Sequence, residues 1–280
     1  MASPKSRFAS LLVLLGACVT ERTPVPEDVG PPARIVTLGP TFTELAWVLG
    51  AGPRLVGRSR WDTKPEMTLA TPDLGDAIRP NVERIVGARP DLVILYPAGD
   101  NVPAMEALER AGIRTLALRV DRIRDFLHAL DTLGLLLGSA GRADSIRAAI
   151  VEELDAVRSL PAITPRPRVF VPAWLTPPMT LGTGSFVSEL IEIAGGTNAY
   201  ADRSEPSFTV AFEDVVRRDP DLILASPDGR RRLMETAPWK SLPAVREARF
   251  VELDTLTMSQ PSTRLGAAAR ALAARLRAGG

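Results

Sequence analysis

Two stretches of the chain repeat one order of apolar and polar positions. Residues 81–95 read N-V-E-R-I-V-G-A-R-P-D-L-V-I-L, and residues 211–225 read A-F-E-D-V-V-R-R-D-P-D-L-I-L-A. Each copy has a glutamate in the first turn of a short helical pattern (Glu83, Glu213), apolar residues on one helix face, and a Pro-Asp stop at Pro90-Asp91 or Pro220-Asp221. Proline disfavours helix at the residue before it, and the all-apolar run that follows suits a parallel strand buried on both faces. Each copy therefore predicts a helix running into a strand. A second matched pair lies upstream, residues 34–37 before 41–50 and residues 168–171 before 185–196. Two pairs in the same order predict two similar α/β lobes, and their unequal spacing predicts loops of different length.

The remaining periodicity fills in the plan. A strand at 34–38 leads to a helix that Thr41 can cap, with Glu44 completing a capping box and Gly50 supplying a left-handed stop. Strands follow at 55–59, 91–95 and 115–118, with a helix at 102–111 before the last. Alternating β and α elements call for a parallel sheet. Ile123, Phe126, Leu127, Leu130, Leu133 and Leu137 keep helical spacing, as do Ile146, Ile150, Leu154 and Val157. A helix over about 142–160 would be roughly 28 Å long, which makes one long helical connector. The second lobe carries strands at 168–171, 222–225 and 250–253 and a closing helix at 263–278. The expected fold is thus α/β, two similar parallel-sheet lobes (33–120 and 163–280) joined by a helical connector (121–162).

The first 18 residues follow different rules. Lys5 and Arg7 precede an apolar run at 8–15, and the segment ends Leu15-Gly16-Ala17-Cys18. This is a secretory signal, too short for a membrane span, and its end resembles a bacterial lipobox in which the cysteine becomes the acylated N-terminus. The alternative is an ordinary signal whose cysteine is incidental. Residues 19–32, with Pro24, Pro26, Pro31 and Pro32, read as a tether.

Composition narrows the function classes. The 280 residues carry 34 Lys and Arg against 33 Asp and Glu, so a net charge of +1 gives no case for a nucleic acid partner. The run Arg230-Arg231-Arg232 reads as solvated surface. One cysteine (Cys18) and one histidine (His128) allow no intrachain disulfide and leave a zinc site without ligands, so no metal site is expected.

Two α/β lobes joined by one helical connector, behind a lipoprotein signal, resemble the cobalamin- and iron-siderophore-type substrate-binding proteins of ABC importers, the helical-backbone periplasmic binding family. The resemblance rests on residues 35–40 with Thr43-Glu44-Leu45, on Val56-Gly57, on 81–85 with 90–94, on Glu189-Leu190 with Gly195-Gly196, on 212–215 with 220–223, and on 239–245. It implies a ligand cleft between the lobes, built from loops at the strand ends. The matching loops offer Trp61, Asp76, Trp174, Phe208 and Arg264, where aromatic faces and one cation suit a wide, flat, partly anionic ligand such as a corrinoid or another metal chelate. Packing under a loop is the alternative for any one aromatic, and Trp47 and Trp239 are assigned to packing. The resemblance further implies that Glu83 and Glu213 dock on arginines of the membrane permease. Favourable placement in a helix dipole would also explain both glutamates.

One departure bears on the ligand. The cobalamin binders nearest in pattern have an aromatic residue in the loop before the first glutamate, where this chain has residues 74–78, Leu-Gly-Asp-Ala-Ile. Haem would want a Tyr or His ligand, and only Tyr96, Tyr200 and His128 are on offer. The expected function is still capture of a metal chelate, cobalamin or a related corrinoid first and a ferric siderophore or haem second, for delivery to an ABC permease dimer with its ATPase. A monomer held at the periplasmic or cell surface by a lipid anchor is expected. An enzyme on the same fold is the rival class, but no G-x-S-x-G, phosphate-cradling Gly loop or Ser/His/Asp set is present, and Asp62 and Asp76 remain as unpaired carboxylates. The reading is no enzyme and no catalytic cofactor. A tethered sensor or adhesion module is a third possibility.

Overall fold

The computed structural model describes residues 30–279 apart from Lys64 and Ala77; Cys18, the leader and most of the tether lie outside the described residues. The first sheet is built by β1 (Ile35–Leu38), α1 (Pro40–Val48), β2 (Leu55–Arg58), α2 (Val82–Gly87), β3 (Leu92–Leu95), α3 (Val102–Arg110) and β4 (Arg114–Ala117). Its strands run parallel in the order β2-β1-β3-β4. Two helices follow, α4 (Ile123–Leu136) and α5 (Ala140–Arg158).

The second half adds β5 (Arg168–Phe170), β6 (Pro172–Leu175), β7 (Pro178–Leu181), α6 (Phe186–Ile193), β8 (Thr197–Asn198), β9 (Ser207–Thr209) and α7 (Phe212–Arg218). It closes with β10 (Leu222–Ala225), α8 (Pro227–Glu235), α9 (Pro243–Arg246), β11 (Phe250–Glu252), α10 (Thr255–Ser259) and α11 (Leu265–Ala278). Strands β8, β5, β10 and β11 form a second parallel sheet in that order. Matching first strand to first strand, this is the topology of the first sheet.

The Pro-Asp stop has one task in both lobes. The Asp91 carboxylate accepts hydrogen bonds from the backbone N–H of Ala33 (2.8 Å) and Arg34 (3.2 Å), and Asp221 accepts from Arg168 N–H at 2.7 Å. In each case the aspartate ties the strand it begins to the first strand of its own sheet. The residue before each proline, Arg89 (φ 47°) or Asp219 (φ 44°), takes the left-handed conformation that ends the helix.

Strand alternation then divides the core. Ile35, Leu92 and Ile94 of the first sheet share one apolar cluster with Val169, Leu222, Leu224 and Val251 of the second and with helices α1, α4, α5, α6 and α11. The opposite faces pack separately. Val36, Val93 and Leu95 lie under α2 and α3 with Ile85 and Leu108, while Phe170, Ile223 and Phe250 lie with Tyr200, Val215 and Trp239. One continuous core therefore joins the two lobes, and α5 packs against both α4 and α11 inside it.

Two local expectations are corrected. Thr41 does not cap α1 and Glu44 closes no capping box, because the helix begins at Pro40 without a side-chain cap. Instead Thr41 Oγ1 donates to Pro261 O at 2.9 Å, and Glu44 Oε1 accepts from Thr263 N–H (2.9 Å) and Thr263 Oγ1 (2.6 Å). Tertiary partners from the second lobe have taken over a local motif. The antiparallel sheet β6-β7-β9 was also not anticipated, since Pro172, Pro177 and Pro178 argue against strands there.

Candidate functional site

Parallel α/β sheets present loops for ligands at the carboxyl ends of their strands. Here Leu38 and Gly39 end β1 and Tyr96 follows β3, and they meet Leu181, Ser185, Pro206 and Ser207 of the second lobe around a cavity of about 330 Å³. Met258, Ser259, Gln260 and Pro261 also line it. A Cβ on Gly182 would stand 2.4 Å from Glu205 O, so glycine lets the segment carrying Pro206 and Ser207 lie this close to the cleft. A second compartment of about 510 Å³ lies in the second lobe, lined by Trp174, Met179, Asp228 and Arg232. Leu181, Ser207, Met258 and Ser259 line both, so the two compartments adjoin.

Hydrogen-bond acceptors gather at the first-lobe end. Tyr96 O–H donates to Asp121 at 2.9 Å, and Arg119 Nη1 reaches Asp121 Oδ2 at 3.5 Å. Burial and then the Asp121 carboxylate push the Tyr96 phenol above its ordinary pKa, so it is a neutral donor. Behind it runs a buried chain in which Thr37 bonds Thr43 (2.6 Å), Thr43 donates to Asp62 (2.9 Å), and Ser59 N–H donates to the same carboxylate (2.7 Å). Burial outweighs these bonds and raises Asp62 to about 6.

The expected site residues separate into groups. Trp61, 60% exposed, follows β2 and donates its indole N–H to Asp76 Oδ2 at 3.3 Å, so the structure brings these two together. The Ile78 N–H holds Asp76 below the usual carboxylate range, helped by Trp61. Trp174, 57% exposed, lines the second compartment and spends its N–H on Thr176 O at 2.8 Å. Phe208 turns the other way on β9, packing edge-on against Tyr200 (5.5 Å) with the Arg203 guanidinium 4.1 Å from its ring centre. Arg264 is exposed at the start of α11. Trp239 is fully buried, as its packing assignment requires.

Glu83 and Glu213 lie exposed in the first turns of α2 and α7, at matching points of the two sheets. Neither makes a hydrogen bond or ion pair among the described residues. The residue one turn on is an exposed valine in both helices, Val86 at 38% and Val216 at 43%. Residues three apart share a helix face, so each lobe presents a carboxylate beside an apolar patch.

A further cavity, about 750 Å³, is elsewhere, between the start of α4 and the ends of α5, α6 and α11. Its arginines are already engaged. Arg277 donates to Ala194 O and Pro161 O, Arg166 to Glu192 O, and Arg158 pairs with Asp155, so these charges cap helix carbonyls or neighbouring acids. Among the described residues no cluster of three metal-ligating side chains occurs, and no helix is long and apolar enough to cross a membrane.

A family profile described as periplasmic binding protein matches residues 35–256. The chain belongs to the periplasmic binding protein family. Among its relatives, the vitamin B12-binding protein of Vibrio vulnificus (strain CMCP6) is 26% identical over 238 residues, covering 85% of this chain and 87% of that one. The vitamin B12-binding protein of Vibrio cholerae serotype O1 (strain M66-2) is 28% identical over 240 residues, covering 84% and 85%. In fold the chain is similar to the crystal structure of a periplasmic vitamin B12 binding protein of Vibrio cholerae, with a TM-score of 0.77, 24% identity and coverage of 90% and 99%. A periplasmic heme-binding protein from Roseiflexus sp. RS-1 follows at a TM-score of 0.75, 25% identity and the same coverage. The family is one of solute-binding proteins, so this periplasmic binding protein is not an enzyme.

Sequence reasoning missed several residues of the cleft in this binding protein. Asp121 lies in a loop with no periodicity, Met258 to Pro261 span the end of the short helix α10 and the turn after it, and Arg232 sits in a charged run. Of the three possible haem ligands, Tyr96 lines the cleft, Tyr200 is 1% exposed under aromatic rings, and His128 is exposed on α4.

Proposed function

We propose that the chain is the substrate-binding lipoprotein of an ABC importer, anchored through Cys18, and that it captures a metal chelate in the cleft between its lobes. Cobalamin or a related corrinoid ranks first. The observation that carries the reading is the adjacency of the two compartments, about 330 and 510 Å³ with four lining residues in common, which together suit a ligand much larger than an amino acid or a free ion. Trp174 in the wall and Trp61 past the end of β2 add exposed indole rings for a flat macrocycle. The vitamin B12-binding relatives support the choice of corrinoid. Haem is the second reading, favoured by the phenol of Tyr96 in the cleft, but an iron-bound tyrosinate would have to form against the raised pKa of that group. Tryptophan quenching and absorbance titrations of the purified protein with cobalamin, cobinamide, haem and ferric siderophores test the assignment. Tight binding of a corrinoid is expected, and binding of haem or a siderophore alone would displace it.

Delivery is assigned to the matched carboxylates. Glu83 and Glu213, each beside its exposed valine, would meet a permease of two equivalent subunits through paired arginines and a small apolar contact. Glu83→Ala and Glu213→Ala should each change folding stability by under about 1 kcal/mol, because exposed charges at helix starts contribute little. Ligand affinity should hold, and uptake at limiting ligand should fall in each single variant and roughly tenfold or more in the double. Normal uptake in the double variant removes the docking role.

A further inference from the structure

The run Arg230-Arg231-Arg232 is pulled apart by α8. Arg230 Nη1 donates to Glu252 Oε1 at 2.8 Å and its guanidinium lies 5.3 Å from the Phe250 ring centre. Arg231 pairs with Asp228. Arg232 does neither. Its side chain makes no hydrogen bond or ion pair among the described residues, and it lines the 510 Å³ compartment one turn along the helix from Asp228. Asp228 and Arg232 are the two charged residues of that wall, and Asp228 is already matched by Arg231. One uncompensated positive charge remains.

Its neighbours define what it would hold. Trp174 has spent its indole N–H on Thr176 O, so it offers the compartment a ring and no donor. Met179 and Met258 add polarizable thioether side chains that adapt to an aromatic outline. The other end of the cleft is opposite in character, with the Asp121 carboxylate in its wall. A ligand with amide donors at one end and an oxyanion at the other would therefore be read in one orientation.

Resting on the metal-chelate reading, we infer that the second-lobe compartment is an anion subsite in which Arg232 holds a phosphate or carboxylate substituent of the ligand and Trp174 covers the flat group beside it. A guanidinium suits this task because its fork of N–H donors matches an oxyanion. The compartment opens to water, which keeps the contribution near the low end for a charge-assisted hydrogen bond, about tenfold in affinity.

The test compares ligand pairs in which one member carries the oxyanion and the other lacks it. Cobalamin carries a phosphate diester in its nucleotide tail and cobinamide does not; haem carries two carboxylates and its dimethyl ester none. All four are titrated against the full protein, Arg232→Gln and Arg232→Lys, with circular dichroism and melting temperature confirming that the variants fold. Whichever pair the wild-type protein binds, Arg232→Gln should weaken the member that carries the oxyanion about tenfold and leave the member that lacks it within twofold, and Arg232→Lys should restore part of the loss. Loss for cobalamin alone identifies the source as a phosphate, loss for haem alone as a carboxylate. Equal weakening of both members, or of neither, overturns the subsite while leaving the metal-chelate reading intact. Failure of the folded wild-type protein to bind any of the four overturns the corrinoid and haem readings and the subsite with them.

Discussion

The two lobes share a topology and fill it differently. Under α2 and α3 the first sheet is covered by aliphatic side chains, Val36, Leu38, Ile85, Val93, Leu95, Leu108 and Ile113. The matching face of the second sheet carries Phe170, which stacks on Trp239 at 5.9 Å and lies near Tyr200 at 6.2 Å, with Phe212 edge-on to Trp239 at 5.4 Å. Helices α7, α8 and α9 cover that face through Val215, Leu233, Ala244 and Val245, with large rings packed among them. The lesson for site assignment is direct. Phe208 joins this aromatic layer through Tyr200, whereas Trp61 and Trp174 have no ring partner among the described residues and stand exposed.

The sharpest way to break this comparison is to empty matching positions. Asp91 pairs with Arg34 and Asp221 with Arg168, so Val36 and Phe170 are equivalent. Phe170→Ala should cost about 3–5 kcal/mol and Val36→Ala about 2 kcal/mol, from lost burial and the cavities left behind. Urea unfolding measures both. Equal losses would mean that the aromatic layer packs no more deeply than the aliphatic one.

A second contrast concerns buried polar groups. In the first lobe Thr43 of α1 bonds Asp62, just past β2; in the second, Ser188 of α6 accepts a hydrogen bond from Asn198 of β8 at 3.0 Å. The same joint between first helix and second strand is ionisable in one lobe and neutral in the other. Burial raises Asp62 to about 6 from 3.8, so between those values the folded state keeps a proton that the unfolded chain has released. Stability should therefore fall as pH rises from about 4 to about 6 and level off above, by at most about 3 kcal/mol for a two-unit shift. Asp62→Asn makes the first lobe resemble the second. It should flatten this part of the profile and raise stability at pH 7 by about 1–3 kcal/mol, read from melts across pH. A variant that melts lower than wild type at pH 7 would show that the carboxylate is needed charged.

How much of this was legible depended on whether a signal was local. Strands buried on both faces show as unbroken apolar runs, so 92–95 and 222–225 stood out, and the repeat revealed the shared topology. Loop prolines disguised β6 and β7. Thr41 and Glu44 carried a sound local capping signal that distant partners, Pro261 and Thr263, outcompeted. The cleft itself draws Gly39, Tyr96, Asp121 and Gln260 from separate loops and Ser207 from β9, and nothing in their spacing along the chain records that they meet.

The smallest expected effect concerns motion of one lobe against the other. If the lobes were separate bodies on a linker, each would have its own core, but a single apolar cluster runs from Ile35 and Leu92 through α4, α5 and α11 to Val169 and Leu222. Polar bonds reinforce it near the cleft. Besides those of Thr41 and Glu44, Phe186 N–H donates to Asp121 O at 2.6 Å and Arg122 Nη2 to Thr183 O at 3.0 Å. Wide closure would have to open this core and break these bonds together, a cost that the binding energy of a ligand is poorly placed to meet. Ligand binding should then change the radius of gyration by less than about 0.5 Å from the roughly 18 Å of a 250-residue body, measured by small-angle scattering. The double variant Thr41→Val, Glu44→Ala should still close little, because the apolar core carries the resistance and the polar bonds only add to it. A fall of several ångströms in wild type would mean that the lobes are hinged after all, and one seen in the double variant alone would move the restraint from the core to the hydrogen bonds that Thr41 and Glu44 make with Pro261 and Thr263.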